Sequence, residues 1–203
     1  MSFDDAPVGA PKRYFDKHFK KEAAKLHPGE YFATDKDMLL VTVLGSCVAA
    51  CLRDTRTGIG GMNHFMLPKT EKDPTSPVSM SARYGTFAME ILINQLIKMG
   101  ARRENLEAKV FGGGNVLRGF TMNNIGESNA NFVLEYLANE KIPVRAEDML
   151  GVHPRKIYFF PFTGKVFVKK IMQLHNATIV ERESEYNLKL RDAPIGGDVE
   201  LFK

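Results

Sequence analysis

The hydrophobic pattern of the chain becomes strong at residues 38–44, which are apolar and partly β-branched and therefore predict a buried strand. The uncharged stretch continues to residue 52, but Thr42, Gly45 and Ser46 interrupt it, and its fifteen residues fall short of the roughly 20 apolar residues of a membrane-spanning helix. The stretch is therefore predicted to lie in a protein core, without membrane insertion.

Two apolar runs, residues 47–53 and 59–67, flank the turn-like residues 54–58. This arrangement predicts an antiparallel hairpin with a loop of about four residues. A helix over residues 47–52 is the competing interpretation, because periodicity alone does not resolve short apolar runs.

Two helices are indicated farther along the chain. Ser79 or Ser81 can cap a helix that runs to Met99, in which apolar residues recur at helical spacing and after which Gly100 acts as a stop. Residues 129–139 predict a second helix. The remaining apolar runs predict strands at 109–111, 143–146, 157–160 and 166–171.

Composition suggests three segments. Residues 1–30 are polar and are predicted to form a basic N-terminal arm, residues 31–180 the compact domain, and residues 181–203 a loosely held C-terminal extension. Residues 69–77, rich in charge, proline, serine and threonine, predict an exposed loop.

The net charge of +4 comes from 28 basic and 24 acidic residues. Part of the excess lies in the predicted arm, in Lys12, Arg13, Lys17, Lys20, Lys21 and Lys25. Such an arm is either simply solvated or attracted to an acidic protein surface, and the absence of aromatic-basic interleaving gives no support to nucleic-acid binding. The N-terminus lacks the apolar segment of a secretory signal, so a cytoplasmic protein with free thiols is expected.

The predicted hairpin has a chemical consequence. If it closes between Arg53 and Gly58, Cys47 lies directly opposite His64, and opposed residues share one face of the sheet. An imidazolium beside a cysteine favours the thiolate, which is the form that attacks a carbonyl carbon. Backbone N–H groups at Gly45, Ser46 and Cys47 are candidates to bind the resulting oxyanion.

Two other interpretations of these residues stay open at this stage. Cys47 and His64 can be ordinary core residues, because cysteine is among the residues most often buried. A zinc site can also be drawn from Cys47, Cys51 and His64, but it lacks a fourth ligand, and in an extended strand the two cysteines are about 13 Å apart. We therefore expect no metal and no cofactor.

Two long segments resemble the chemoreceptor glutamine deamidase family, CheD. They are VTVLGSCVAACLRD at 41–54 and GIGGMNHFMLP at 58–68. Shorter matches are PGEY at 28–31, RYG at 83–85, VFGGG at 110–114, NIG at 124–126, AED at 146–148 and RKI at 155–157.

The resemblance implies a cysteine hydrolase that converts glutamines, and in some cases methyl-glutamates, in the cytoplasmic coiled coil of methyl-accepting chemotaxis receptors. It places the nucleophile at Cys47, the histidine at His64 and a third catalytic residue at Thr42, whose hydroxyl would orient the imidazole. The fold it implies is an α+β layered sandwich of mixed β-sheet with packed helices, similar to the catalytic domain of cytotoxic necrotizing factor toxins.

The family also implies a second partner, the chemotaxis phosphatase CheC, which binds the deamidase in some bacteria. The alternative function is a non-enzymatic adaptor that binds receptor or CheC on the same scaffold. The glycine run 112–114 does not fit a phosphate-binding loop, because no Lys-Ser or Lys-Thr follows it.

Overall fold

A computed structural model describes residues 11–68, 80–116, 125–172 and 177–192. Within these ranges the protein is α+β, with ten strands and three helices. The strands are β1 (Lys12–Asp16), β2 (Lys21–Lys25), β3 (Tyr31–Thr34), β4 (Leu39–Leu44), β5 (Val48–Asp54), β6 (Gly60–Asn63), β7 (Leu106–Gly112), β8 (Val144–Met149), β9 (Arg155–Phe160) and β10 (Lys165–Lys170). The helices are α1 (Met80–Lys98), α2 (Ile125–Asn139) and α3 (Ala177–Asp192), and a 3₁₀ turn spans Arg103–Asn105.

The strands form two mixed five-stranded sheets. Sheet A has the order β1-β2-β4-β9-β10, and its one parallel pair is β2 with β4. Sheet B has the order β3-β6-β5-β7-β8, and its one parallel pair is β7 with β8. The two sheets therefore supply the layers against which the rest of the domain packs.

Three groups of buried side chains define the layers. One core lies between the sheets, where residues such as Leu40 and Leu44 of sheet A meet Ala49 and Phe111 of sheet B. The other face of sheet B packs against α1 and α2. A smaller aromatic cluster covers the outer face of sheet A. The predicted layered arrangement of mixed sheet and helices is thus observed, as sheet A, sheet B and the helices.

The predicted helix ending at Met99 corresponds to α1, and the predicted helix 129–139 corresponds to the last eleven of the fifteen residues of α2. The α1 prediction rested on Tyr84, Phe87, Ala88, Ile91, Leu92 and Gln95–Leu96. Of these, Leu92 and Leu96 are buried against sheet B, whereas Phe87 is 61% exposed; the buried face is completed by Met89 and Ile93, which the prediction did not include. Local periodicity is informative here because both helices have one apolar face.

The predicted hairpin is confirmed, but its register is wrong by two residues. Cys51 pairs with Met62 rather than with Gly60. The reason is the turn: the Asp54 carboxylate accepts the N–H groups of Arg56 and Thr57, and Gly58 adopts a left-handed conformation with φ of 76°. Gly58 therefore belongs to the turn, and the strands close one residue later at each end.

The predicted N-terminal arm is not an arm over residues 12–25. These residues form β1 and β2, and β2 pairs in parallel with β4 at the centre of sheet A. Ala23 and Ala24 are fully buried between charged neighbours, so this strand contributes to the core in spite of its polar sequence. The pairing joins segments that are far apart in the chain, which local sequence patterns do not reveal.

The predicted loose extension from residue 181 also differs from the structure, because residues 181–192 lie in α3. The loop predicted at 69–77 and the last eleven residues of the chain lie outside the described ranges.

Candidate active site

The candidate site is built around a tight turn, residues 45–47, between β4 and β5. Its carbonyl groups are held on one side: the N–H of Gly113 donates to the Cys47 carbonyl and the N–H of Gly114 to the Gly45 carbonyl, both at 2.8 Å. The side-chain amide of Asn129 donates to the Ser46 carbonyl, also at 2.8 Å. Because the carbonyls are engaged, the N–H groups of the turn are presented to the opposite side.

Those N–H groups converge on the carboxylate of Glu183 in α3. The N–H of Gly45 donates to Oε1 at 2.9 Å, that of Ser46 to Oε2 at 2.9 Å, and that of Cys47 to Oε1 at 3.2 Å. The Ser46 hydroxyl adds a fourth donor at 2.6 Å. Consecutive amides that point at one negative group form an anion-binding concavity of the kind that can hold an oxyanion.

Glycine at position 45 is required for this approach. A Cβ atom built there would lie 2.8 Å from Oε1 of Glu183 and 2.9 Å from Val116 Cγ2. Gly112 plays the same part on the other side of the turn, because a Cβ on it would lie 2.1 Å from the Cys47 carbonyl oxygen. The glycine run 112–114 therefore lets β7 pack directly against the nucleophile candidate.

Thr42 and His64 are joined by a buried hydrogen bond across the two sheets. The Thr42 hydroxyl oxygen lies 2.7 Å from Nδ1 of His64 and 3.0 Å from the carbonyl oxygen of Leu26. The Leu26 carbonyl can only accept, so the Thr42 hydroxyl uses its single hydrogen to donate to Leu26. The hydrogen bond between Thr42 and His64 is therefore donated by Nδ1–H of His64. This arrangement leaves Nε2 of the neutral ring with its lone pair free.

Nε2 of His64 is buried and has no hydrogen-bond partner among the described residues. A small cavity lies next to it, lined by Lys25, Leu26, His27, Pro28, Val43, His64, Arg182 and Glu183. A buried acceptor without a partner lowers the stability of the fold, so its presence calls for an explanation. A catalytic base, whose lone pair must be free to accept a proton, provides one.

Cys47 and His64 lie on the same face of sheet B, although not directly opposed. Val48 and Phe65 form an isolated antiparallel bridge with hydrogen bonds of 2.9 and 3.0 Å, which makes Cys47 and His64 diagonal neighbours. Diagonal neighbours are about 7 Å apart at the backbone, near enough for long side chains to meet. A register error of two residues preserves the face, so both side chains still point between the sheets.

The thiol and imidazole are held in their neutral forms. Burial, followed by the nearby Glu183 carboxylate, raises the pKa of Cys47 well above its ordinary value. Burial lowers the pKa of His64 to about 4, against an opposing effect of Glu183. The Glu183 carboxylate thus influences both groups, raising the pKa of the thiol and opposing the fall in the pKa of the imidazole.

Cys51 lies in β5, four residues after Cys47, at a position that pairs with Met62 and Lys109. It is buried, and burial raises its pKa. Among the described residues, no group of three or more histidine, cysteine, aspartate and glutamate side chains could hold a metal ion.

Two residues that contact the 45–47 turn were not predicted from the sequence. Asn129 is fully buried and ties the Ser46 carbonyl to the N–H of Leu67, which donates to its Oδ1 at 2.8 Å. Glu183 lies in a segment whose polar composition hides a weak helical period, since Val180, Glu183, Tyr186 and Leu190 recur at spacings of three and four. That period was the available signal for α3.

No helix in the parts of the chain that the structure describes is both long and apolar enough to cross a membrane.

The chain is similar to the members of one known protein family. A family described as CheD chemotactic sensory transduction matches residues 66–170. A protein of Shewanella oneidensis named probable chemoreceptor glutamine deamidase CheD 1 is 61% identical over 96% of this chain and 95% of its own length. The chain belongs to the CheD family.

Two further CheD proteins show the same degree of similarity. Those of Janthinobacterium sp. and Thiobacillus denitrificans, both named probable chemoreceptor glutamine deamidase CheD, are 63% and 62% identical over 93% and 95% of this chain, and 93% and 96% of their own lengths are covered. A solved structure, the hypothetical protein YfiH of Bacillus licheniformis, covers 61% of this chain and 49% of its own at 14% identity and a TM-score of 0.35, a likeness too weak to argue from.

Proposed function

We propose that this CheD protein hydrolyses the side-chain amide of glutamine residues in the cytoplasmic domain of methyl-accepting chemotaxis receptors. Cys47 is the nucleophile, His64 the base and Thr42 the residue that orients the imidazole. The protein acts in the cytoplasm, where the receptor coiled coil is accessible, and needs no cofactor.

The observation that carries the proposal is the arrangement of donors and acceptors around Cys47. The hydrogen bond of 2.7 Å between His64 and Thr42 selects the ring tautomer whose Nε2 is unprotonated. The three N–H groups of residues 45–47 converge on one side of the turn. A base with a free lone pair and a set of oxyanion donors are the two parts that a cysteine nucleophile requires.

In the first half of the reaction the Cys47 thiol gives its proton to Nε2 of His64, and the sulfur attacks the Cδ carbon of the substrate glutamine. The N–H groups of residues 45–47 bind the oxygen as it becomes negative. When the tetrahedral intermediate collapses, the C–N bond breaks and protonated His64 gives its proton to the departing nitrogen, which leaves as ammonia. A thioester to Cys47 remains.

In the second half, water attacks the thioester carbon and His64 accepts one of its protons. The C–S bond then breaks, the sulfur regains a proton from His64, and glutamate is released. The cavity beside His64 supports this step, because it adjoins the imidazole that must activate the water. A methyl-glutamate would follow the same route with methanol as the first leaving group.

The alternative is a non-enzymatic adaptor that binds receptor or the CheC phosphatase. One observation favours it: Glu183 already occupies the N–H groups that an oxyanion would need. Binding of CheC, which the family resemblance implies, fits either function. We also propose that the fold is similar to the catalytic domain of cytotoxic necrotizing factor toxins; the two-sheet α+β architecture supports this similarity, which fits either function as well.

The two functions are separated by incubating the protein with a receptor cytoplasmic fragment and following glutamine-to-glutamate conversion by mass spectrometry. The wild-type protein is expected to convert specific glutamines. His64→Ala is expected to abolish conversion while binding of the fragment, measured by calorimetry, persists. Binding without any conversion by the wild-type protein would establish the adaptor and refute the enzyme.

A further inference from the structure

The Glu183 carboxylate of α3 lies where the glutamate produced by the proposed reaction would lie. Glu183 is 4% exposed, and its two oxygens accept four hydrogen bonds from residues 45–47. The product of glutamine deamidation is also a glutamate side chain, which must leave this same set of donors after the thioester is hydrolysed. The site therefore contains a chemical copy of its product, supplied by the chain itself.

The helix also provides a second anchor on the same face. Tyr186 follows Glu183 by three residues, so the two side chains lie side by side. The Tyr186 hydroxyl is hydrogen-bonded to that of Tyr84, and a Cβ on Gly29 would lie 2.8 Å from it. Gly29 and Tyr84 therefore form a recess that receives the side chain of Tyr186.

The other side chains of α3 whose burial the structure describes do not anchor the helix. They are exposed, namely Glu181, Arg182, Ser184, Glu185, Leu188 and Lys189. Arg182 also lies near Lys25, whose pKa is lowered first by burial and then by the positive charge of Arg182. Because only two of the described α3 side chains anchor it, and Arg182 lies beside another positive charge, α3 can leave without unfolding the core.

We propose that α3 is an internal product mimic, which occupies the groove where a receptor helix binds and must be displaced before a receptor glutamine can reach Cys47. The inference rests on the proposed function and deepens it, because it assigns the substrate-binding surface. A receptor helix in this groove places its glutamine where Glu183 lies and its residue three positions later over Gly29 and Tyr84.

The closed arrangement is inactive for two reasons. Glu183 fills the N–H groups that the substrate oxygen needs, and its negative charge adds to burial in raising the pKa of the Cys47 thiol. When α3 leaves, both effects end together. Receptor binding and activation of the nucleophile are thereby coupled through one side chain.

The decisive test uses Glu183→Gln, which places an amide in the groove within the intact protein. If α3 lies as a substrate lies, the protein hydrolyses this amide itself: water supplies the new oxygen, ammonia leaves, and the encoded glutamine becomes glutamate. Peptide mass spectrometry is expected to show this conversion with first-order kinetics that do not depend on protein concentration.

Two matched variants control the experiment. Glu185→Gln lies on the same helix, two residues away and exposed, and its amide is expected to persist. Glu183→Gln combined with Cys47→Ala is expected to keep its amide as well, because the nucleophile is missing. Conversion in either control would show that the change is spontaneous and would overturn the proposal.

Competition with receptor is tested by Glu183→Ala. If α3 closes the groove about 90% of the time, its release raises kcat/KM for a receptor fragment by about tenfold, whereas Glu185→Ala leaves kcat/KM unchanged. Tyr186→Phe loosens the second anchor with Glu183 intact and is expected to change kcat/KM in the same direction, which guards against misfolding of the first variant.

The outcomes separate the two proposals. If the wild-type protein converts receptor glutamines but the Glu183→Gln amide persists, or kcat/KM does not rise in either loosened variant, the product mimic is refuted and the deamidase stands. If the wild-type protein converts no receptor glutamine, the proposed function itself fails.

Discussion

The hydroxyl oxygen of Thr42 lies 2.7 Å from Nδ1 of His64. The contact connects β4 of sheet A to the residue that directly follows β6 of sheet B. Both Thr42 and His64 are buried, and the Thr42 hydroxyl donates a hydrogen bond to the Leu26 carbonyl. A neutral hydroxyl thereby does what a carboxylate does in other triads: it fixes the tautomer and the orientation of the ring.

Replacing Thr42 tests that role. In Thr42→Val the Nδ1–H of His64 loses its acceptor in a buried place, which costs about 1–3 kcal/mol of transition-state stabilisation and lowers kcat for receptor conversion by about tenfold to a hundredfold. Thr42→Ser keeps the hydroxyl and is expected to retain most of the wild-type kcat. Equal rates in the two variants would show that the hydroxyl has no part in catalysis.

The pKa of His64 predicts how stability depends on pH. Burial lowers this pKa from 6.5 to about 4, so the unfolded chain binds a proton that the folded protein does not. The neutral imidazole therefore contributes fully above pH 6.5, and up to about 3 kcal/mol of unfolding free energy is lost as pH falls toward 4.

Urea unfolding at pH 7 and at pH 4.5, with the wild-type protein and His64→Gln, measures this effect. The wild-type protein is expected to lose more stability between the two pH values than the variant does, because other acidic groups contribute equally to both. The same loss in both proteins would mean that His64 is protonated as easily in the fold as outside it.

Gly112 provides a test of the turn that holds Cys47. Its φ is 112°, and a Cβ on it would lie 2.1 Å from the Cys47 carbonyl oxygen, so Gly112→Ala must displace the turn. A displacement of about 1 Å at a nucleophile can lower kcat about a hundredfold.

Gly100→Ala is the matched control, because its φ of 106° carries a similar backbone cost but its Cβ would meet only Ile59 at 3.8 Å. Both variants are expected to lose about 1–3 kcal/mol of unfolding free energy. Only Gly112→Ala is expected also to lower kcat, under conditions in which both variants remain folded. A comparable loss of kcat in Gly100→Ala would contradict a specific role for the 112–114 run.

The parts of the site that are close in sequence were predictable. The strand at 38–44, the break at Gly45 and the hairpin that follows are specified by local runs and turn residues, and they place Cys47 and His64 on one face even though the register was wrong by two. Asp54 decided that register: its side chain accepts two N–H groups of the turn, a detail that apolar periodicity does not contain.

The parts that depend on distant segments were not predictable from local patterns. Strand β2 has a polar sequence and is recognisable only by its parallel pairing with β4, and α3 presents Glu183 to residues more than 130 positions earlier. A buried glutamate with partners so distant looks like an ordinary charged residue of a polar tail. The contact that most affects the proposed activity was therefore the one that the sequence concealed.

The role of Cys47 as the nucleophile is tested by comparing the two cysteines. Cys47 and Cys51 are both buried, lie on the same face of sheet B and differ in their surroundings, since only Cys47 adjoins the turn amides. Receptor fragment, wild-type protein, Cys47→Ala and Cys51→Ala are incubated under the same conditions, and conversion is followed by mass spectrometry. Cys47→Ala is expected to convert no glutamine and Cys51→Ala to convert it at close to the wild-type rate. Wild-type conversion by Cys47→Ala would show that another residue is the nucleophile.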